Sequence, residues 1–408
     1  MARYLALPRN DIVVASLSLA DVSPAPEARA RQVARVKSVR RSIGVQNRGM
    51  DPVSALSSLD ATLVAHPEET TSATGVMVFD MEDPDALDSL RQSLPEYDVV
   101  EDLPLSIIPP VASGLSVSDA SAVDAWHLDA VGLTAARDAG FTGRGTGVGV
   151  AILDTGIKAV PEIDGRITTA WELDRTTNTP RAITTRDTDG HGTHVAGLVA
   201  GSAVGVAPGA DLMNYVMLPR GLGNVSDFIF ALDFVVQQPE VSIINMSAGL
   251  HGYDGSMKPT IALARRMGVL PVIAVGNEGP NTTRSPGNYA DVLAVGASTR
   301  DGRVWSSSGG GTLMPDGVSY SVPHIVAPGK EVCSCVMGGG YEAWNGSSMA
   351  TPIVSGMAAL ILEAHPQIAL ADLIEELVRA ARKLPSVPDI RQGAGLMRIP
   401  PIVWHLGT

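Results

Sequence analysis

Cysteine is almost missing from this chain of 408 residues; there are two, Cys333 and Cys335. A disulfide framework is therefore excluded. Two residues apart on an extended segment, their side chains share a face at the upper limit of separation for a bridge. They read as two small, semi-buried thiols, with a redox-sensitive pair as the sharper alternative. Basic residues are also scarce: 30 Lys and Arg stand against 43 Asp and Glu, for a net charge of −13. Such a chain repels phosphate backbones, so nucleic acid is excluded as a partner. The one basic run, Arg29 to Arg41, reads as the solvated face of a helix. No stretch of about 18 apolar residues is apparent, so no membrane-spanning helix and no membrane partner are expected. Near the start, Arg9, Asn10 and Asp11 interrupt the apolar residues before they reach the length of a signal-peptide core. The expected location is cytoplasmic, or outside the cell by a route that uses no N-terminal signal peptide.

What is present is apolar bulk. Apolar residues make up 45% and charged residues 18% of the chain, enough for a large buried core. Composition shifts at PLSIIPPVASGLSVSDASA, residues 104–122, which is rich in Pro, Ser, Gly and Ala and reads as a linker or processing segment. Upstream, RYLALP, DATLVAH, GVMVFDM and YDVVEDLPLSI are strand-like, while PEARARQVARVKSVRRSI and PDALDSLRQSL have helical character. The order β-α-β-β-α-β predicts a small α+β domain of ferredoxin-like type. Downstream, GVGVAILDT, ADLMNYVML, VSIINMSAG, VLPVIAVGN and VLAVGAS are apolar at both alternating positions. Strands of that kind belong to a parallel sheet covered on both faces. The helical stretches between them complete an α/β layered fold with a mainly parallel central sheet.

Sites in such sheets form at the carboxyl ends of the strands. Three places there carry a polar residue among small ones: Asp154 in AILDTGI, His191 in DGHGTHVAG and Ser348 in NGSSMATP. Singly, each has a plain structural explanation as a turn residue, a buried histidine or a helix cap. His191 and His194 also raise the thought of a metal, but no third ligand at suitable spacing is apparent, so no metal is expected. Together the three supply a hydroxyl nucleophile, a base and a carboxylate to orient the base.

The strings around them (D-T-G at Asp154, H-G-T-H-V-A-G from His191, G-S-S-M-A-T-P at Ser348) resemble those of the subtilisin family of serine endopeptidases. The likeness runs from about Trp126 to residue 401, with Ser347 where the family more often has Thr. It implies a subtilisin-like fold and a triad of Asp154, His191 and Ser348, with peptide hydrolysed through an acyl-enzyme. It also implies Asn277, in VIAVGNEG, as an oxyanion donor beside the Ser348 amide. Ser247, Ala248 and Gly249 become substrate-binding residues that pair with the peptide backbone. Met349, directly after the nucleophile, is expected to be oxidation-sensitive. By position and pattern, residues 1–108 resemble an inhibitory propeptide. The implied division is thus an inhibitory domain at 1–108, a processing segment at 109–120 and a catalytic domain at 121–408. The partners implied are polypeptide substrates and the chain's own N-terminal domain. No cofactor is expected: the calcium-binding loop of secreted relatives is cut to Ser202–Val204, too short to supply the ligands of a tight site. Arg284 falls where the family has its P1 pocket. Either it faces the pocket and favours acidic P1 residues, or it pairs with Glu278 at the rim. The first alternative predicts self-processing within 108–124, after Asp119. A peptide-binding pseudoprotease and a dedicated processing enzyme are the rival functions.

Overall fold

A computed structural model describes residues 2–9, 22–46, 56, 61–65, 75–175 and 179–404. Part of the N-terminal stretch read above for a signal peptide lies outside these residues.

The N-terminal domain is built from β1 (Ala2–Pro8), α1 (Pro26–Gln46), β2 (Ala61–Ala65), β3 (Met77–Met81), α2 (Leu87–Ser93) and β4 (Tyr97–Glu101). Its antiparallel strands run in the order β2-β3-β1-β4, which is the ferredoxin-like arrangement. Period-two alternation assigns its faces. Tyr4 and Ala6 join a small core with Phe79, Met81 and Leu90. Leu5 and Leu7 join Phe228, Leu232 and Ile261 of the downstream region.

The downstream region is organised around eight strands: β7 (Gly149–Asp154), β8 (Ile167–Asp174), β9 (Thr179–Ala182), β10 (Asp211–Val216), β12 (Val241–Met246), β14 (Leu270–Ala274), β16 (Leu293–Ser298) and β19 (Ile325–Pro328). Their order is β19-β16-β14-β12-β7-β10-β8-β9, parallel except for β9. Helices α3 (His191–Ala200) and α6 (Ser347–Ala364) share the core of one face with Val150 and Ile152. Helices α4 (Val225–Val235) and α5 (Lys258–Arg266) share that of the other with Ala151 and Leu153. Among the described residues one helix, α6, is long and apolar enough to cross a membrane, a stretch the sequence reading passed over; it is packed inside this core.

Two smaller sheets hold the chain between the domains. β5 (Pro104–Ile107) lies between β11 (Leu222–Asn224) and β13 (Ala248–His251), with β15 (Arg284–Ser285) beyond. β6 (Val111–Val117) pairs with β21 (Tyr341–Asn345), itself paired with β20 (Val332–Cys335). β17 (Gly311–Leu313) and β18 (Tyr320–Val322) form a separate hairpin. The expected linker at 109–120 is thus largely a strand. Open backbone edges on the downstream region recruit it, and those hydrogen bonds outweigh its loop-like composition.

The basic run also needs correction. Arg29 is fully buried. Its guanidinium donates to the carbonyls of Val236, Gln238, Val241 and Met267, just beyond the C-terminal ends of α4 and α5. Converging carbonyls there are a natural cation site. Burial draws the pKa of Arg29 down to about 9, which leaves it charged at neutral pH. Arg31 and Arg35 are exposed as expected, and the side chains of Lys37, Arg40 and Arg41 lie outside the described residues.

Candidate active site

Asp154 ends β7, His191 opens α3 and Ser348 stands in the first turn of α6. All three are fully buried. His191 Nδ1 lies 2.7 Å from Asp154 Oδ1. Burial works against the imidazolium, but the attraction and hydrogen bond of Asp154, with Asp189 and Asp187 behind it, outweigh that and raise the His191 pKa. A Cβ at position 192 would lie 2.0 Å from the Gly156 carbonyl oxygen, so glycine is what lets α3 come this close to the Asp154 turn.

Two residues that the sequence reading missed fix this turn. Asp187 accepts hydrogen bonds from Thr155 Oγ1 and the Asp189 and Gly190 amides through one oxygen, and from the Thr193 amide and hydroxyl through the other. Thr155 in turn donates its amide to Asp154 Oδ1 at 2.7 Å and accepts from the Gly192 amide at 3.0 Å. The signal was the Asp four residues before His191, in line with the Thr two residues after it.

Asn277 meets Ser347 from the opposite side. Its Oδ1 accepts from the Ser347 amide at 2.8 Å and hydroxyl at 2.9 Å, which turns Nδ2 outward into the groove. The hydroxyl that Ser347 shares with the family's usual Thr is what makes this contact. Gly346 leaves the room for it, since a Cβ there would sit 3.0 Å from Asn277 Nδ2.

The groove is filled by the chain itself. In β5, Ile107 pairs with Ala248 and Ser106 with Gly249, antiparallel, while Leu105 pairs with Gly223 on the other side. The Ile108 amide donates to the Ser247 carbonyl at 3.1 Å. Ser348 Oγ donates to the Ile108 carbonyl at 3.1 Å, and Asn277 Nδ2 donates to the Pro109 carbonyl at 3.3 Å. His191 Nε2 has no hydrogen-bond partner among the described residues. Asp119 stands elsewhere, exposed, capping the turn at 120–122 through the Ser121 amide. The expected cut after Asp119 is thus at a peptide away from Ser348; the one laid on Ser348 is at Ile108.

For Arg284 the second alternative holds. Its side chain is nearly buried and pairs with Glu278 Oε1 through Nε at 2.9 Å and Nη2 at 2.6 Å. Nη1 donates to the Gly249 carbonyl at 2.9 Å and touches Ser106 Oγ at 3.3 Å. Burial opposes the Glu278 charge, but the bonds and attraction of Arg284 outweigh it and hold that carboxyl below its usual range. A guanidinium matched in this way does not offer a free charge to an acidic P1 side chain.

Other expectations resolve by burial. His194 bonds the Glu342 carbonyl at 3.0 Å and stacks on Trp344 at 4.2 Å, and burial pushes its pKa down to about 3. Cys333 and Cys335 are unpaired, and burial raises their thiols to about 11 and 12, against the redox-sensitive alternative. Met349 is fully buried, which corrects the expectation of ready oxidation while the groove is filled.

A family model described as the subtilase family (peptidase S8) matches residues 145–395, more than half of the chain. The chain belongs to the subtilase family. This subtilase is 34% identical over 267 residues to subtilisin Savinase of Lederbergia lenta, a match that covers 64% of the chain and 92% of that protein. It is 31% identical over 337 residues to the subtilisin-like protease PopC of Myxococcus xanthus, covering 74% and 70%. A solved structure, fervidolysin from Fervidobacterium pennivorans, described as a keratinolytic enzyme related to subtilisin, superposes with a TM-score of 0.70 at 18% identity. That match covers 99% of this subtilase and 61% of fervidolysin, and it shows the shared fold. The chain is a subtilisin-type serine endopeptidase acting on polypeptides.

Proposed function

We propose that Asp154, His191, Ser348 and Asn277 are the residues that perform this hydrolysis, and that residues upstream of Ile108 act as an intramolecular inhibitor. The observation that carries both readings is the extended segment at Leu105–Ile108, with its Ile108 carbonyl on the Ser348 hydroxyl. In a substrate, Ser348 Oγ adds to the carbonyl carbon as His191 Nε2 takes its proton. Asp154 holds Nδ1 and stabilises the imidazolium. The oxyanion draws on Asn277 Nδ2 and the Ser348 amide at the start of α6. His191 then passes the proton to the leaving nitrogen as the carbon–nitrogen bond breaks, and water repeats the sequence on the ester.

We propose further that no tight calcium ion is held at the short loop after α3. There Glu162 accepts from Ser202 Oγ and from the Ala203 and Val204 amides, and Tyr341 donates to it at 2.7 Å. Inward-facing N–H groups around a carboxylate are the reverse of a cation cage.

Ser348→Ala is the test of the catalytic reading. Peptide hydrolysis should fall on the order of 10⁶-fold, as for the equivalent serine of subtilisin, with the circular dichroism spectrum unchanged. An Ala variant with wild-type turnover in a clean preparation defeats the assignment.

A further inference from the structure

The peptide bond that the chain offers to Ser348 is an unusual one. Ile108 is anchored by the Ser247 carbonyl on one side and by Ser348 Oγ on its own carbonyl, so the bond in position is Ile108–Pro109. Its nitrogen belongs to a proline ring. We infer that this bond is one the enzyme does not cut: Pro109 turns the N-terminal domain into an inhibitor that survives in its own active site, and activity has to be supplied by a different endopeptidase. The inference rests on the reading of Ser348 as nucleophile.

Acylation forms the Oγ–carbon bond and breaks the carbon–nitrogen bond, and the serine proton travels through His191 to the departing nitrogen. An ordinary residue leaves as an amine whose nitrogen carries hydrogen and turns freely toward the imidazole. The proline nitrogen carries Cδ in place of that hydrogen, and the ring fixes φ, so the nitrogen has little freedom to present its lone pair to His191.

Three catalytic groups in the filled groove are also not joined to one another as this reaction requires. The Ser348 hydroxyl hydrogen is spent on the Ile108 oxygen. His191 Nε2, which should receive it, has no hydrogen-bond partner among the described residues. Asn277 Nδ2 lies on the Pro109 oxygen, one residue beyond the carbonyl that would become the oxyanion.

Register keeps another bond from sliding into place. Upstream, Ile107 is paired with Ala248 and Ser106 with Gly249. Downstream, Ala112 is paired with Trp344, and Asn345 Nδ2 holds the Val111 carbonyl at 2.9 Å. A slip of one residue would break both ladders and turn every side chain to the opposite face. The stretch 118–122, by contrast, is exposed throughout and lies outside the groove, open to a second endopeptidase.

The test uses the full-length chain as wild type, Pro109→Ala, Pro109→Ser and Pro109→Ala with Ser348→Ala, each incubated alone and followed by intact-mass spectrometry. The wild type is expected to stay whole between Ile108 and Pro109. Both single variants should be cut there at least tenfold faster, and the double variant should stay whole. A wild-type chain cut after Ile108 overturns the inference. So do Pro109 variants that stay whole while their Ser348 reacts with a fluorophosphonate probe. A Ser348 that no probe labels even in wild-type chain nicked at 118–122 by an added endopeptidase overturns the nucleophile reading, and the inference with it.

Discussion

The two regions of the molecule hold together differently. In the catalytic region, β7, β12, β14 and β16 contain no exposed residue, and helices cover both faces of the sheet. The N-terminal sheet encloses a core of its own on one face only; Leu5, Leu7, Val76 and Val78 on the other join the core of α4 and α5. One region supplies its own interior and the other shares its neighbour's. A domain of that kind behaves as a tethered ligand as much as a fold. Two of its polar anchors stand at opposite ends of α4: Arg29 beyond the C-terminus and Asp102 at the N-terminus.

The contrast breaks most readily at Arg29. In Arg29→Met the methylene bulk remains, but four buried carbonyls lose their donor. The cost is about 2–4 kcal/mol, or roughly 30- to 1,000-fold in the docking equilibrium. Hydrolysis of a short peptide by the uncut Arg29→Met chain should rise by at least tenfold over wild type. A variant as silent as wild type would show that apolar contact alone holds the domain.

That opened chain also allows the catalytic region to be titrated. His191 must be neutral to act as a base, so kcat/KM should fall about tenfold per pH unit on the acid side. Because the pKa is raised, the midpoint should lie above the ordinary imidazole value of 6.5. Stability runs the other way. A raised folded-state pKa favours the protonated fold, so this contribution is full below pH 6.5 and is lost as pH rises through the folded value. A kinetic midpoint below 6.5 would place the Asp154 contact outside the working enzyme.

Asp102 should matter less. It accepts from the Ser226 amide at 2.9 Å and hydroxyl at 2.7 Å, the bonding of a helix cap supplied from another domain. Asp102→Ala should weaken docking by about 1–2 kcal/mol, read as a smaller rise in basal hydrolysis than Arg29→Met gives. An equal or greater rise would reverse the ranking of the two anchors.

Calcium should have the least effect. After chelation, low-millimolar calcium should move the melting temperature by no more than about 1 °C, since without a tight site there is little binding energy to add. A rise of many degrees would identify a cation site that Glu162 does not replace.

The same contrast governs what could be read in advance. The strands of the main sheet and the strings around Asp154, His191 and Ser348 are local, and local pattern carries them. The antiparallel order of the N-terminal sheet followed from alternation and helix spacing. Arg29 was read as solvated because its partners, Val236 to Met267, lie more than 200 residues away, beyond any periodicity. β6 was read as a linker for the same reason, since its partner strand β21 lies far downstream. Arg284 was legible only as a choice, and Glu278, six residues before it, decided that choice through geometry that no spacing rule contains.

Only Ile108, Pro109 and Pro110 separate the strand in the groove from the strand beside it. A tether that short keeps the inhibitor at an effective concentration in the millimolar range or above, whatever the amount of protein. Dilution therefore does nothing to the intact chain. Once the backbone is severed, the inhibitor becomes a separate molecule, and its hold falls with every increase in volume. A single cut converts a state indifferent to crowding and scale into one that expires on its own, in proportion to the space it is released into.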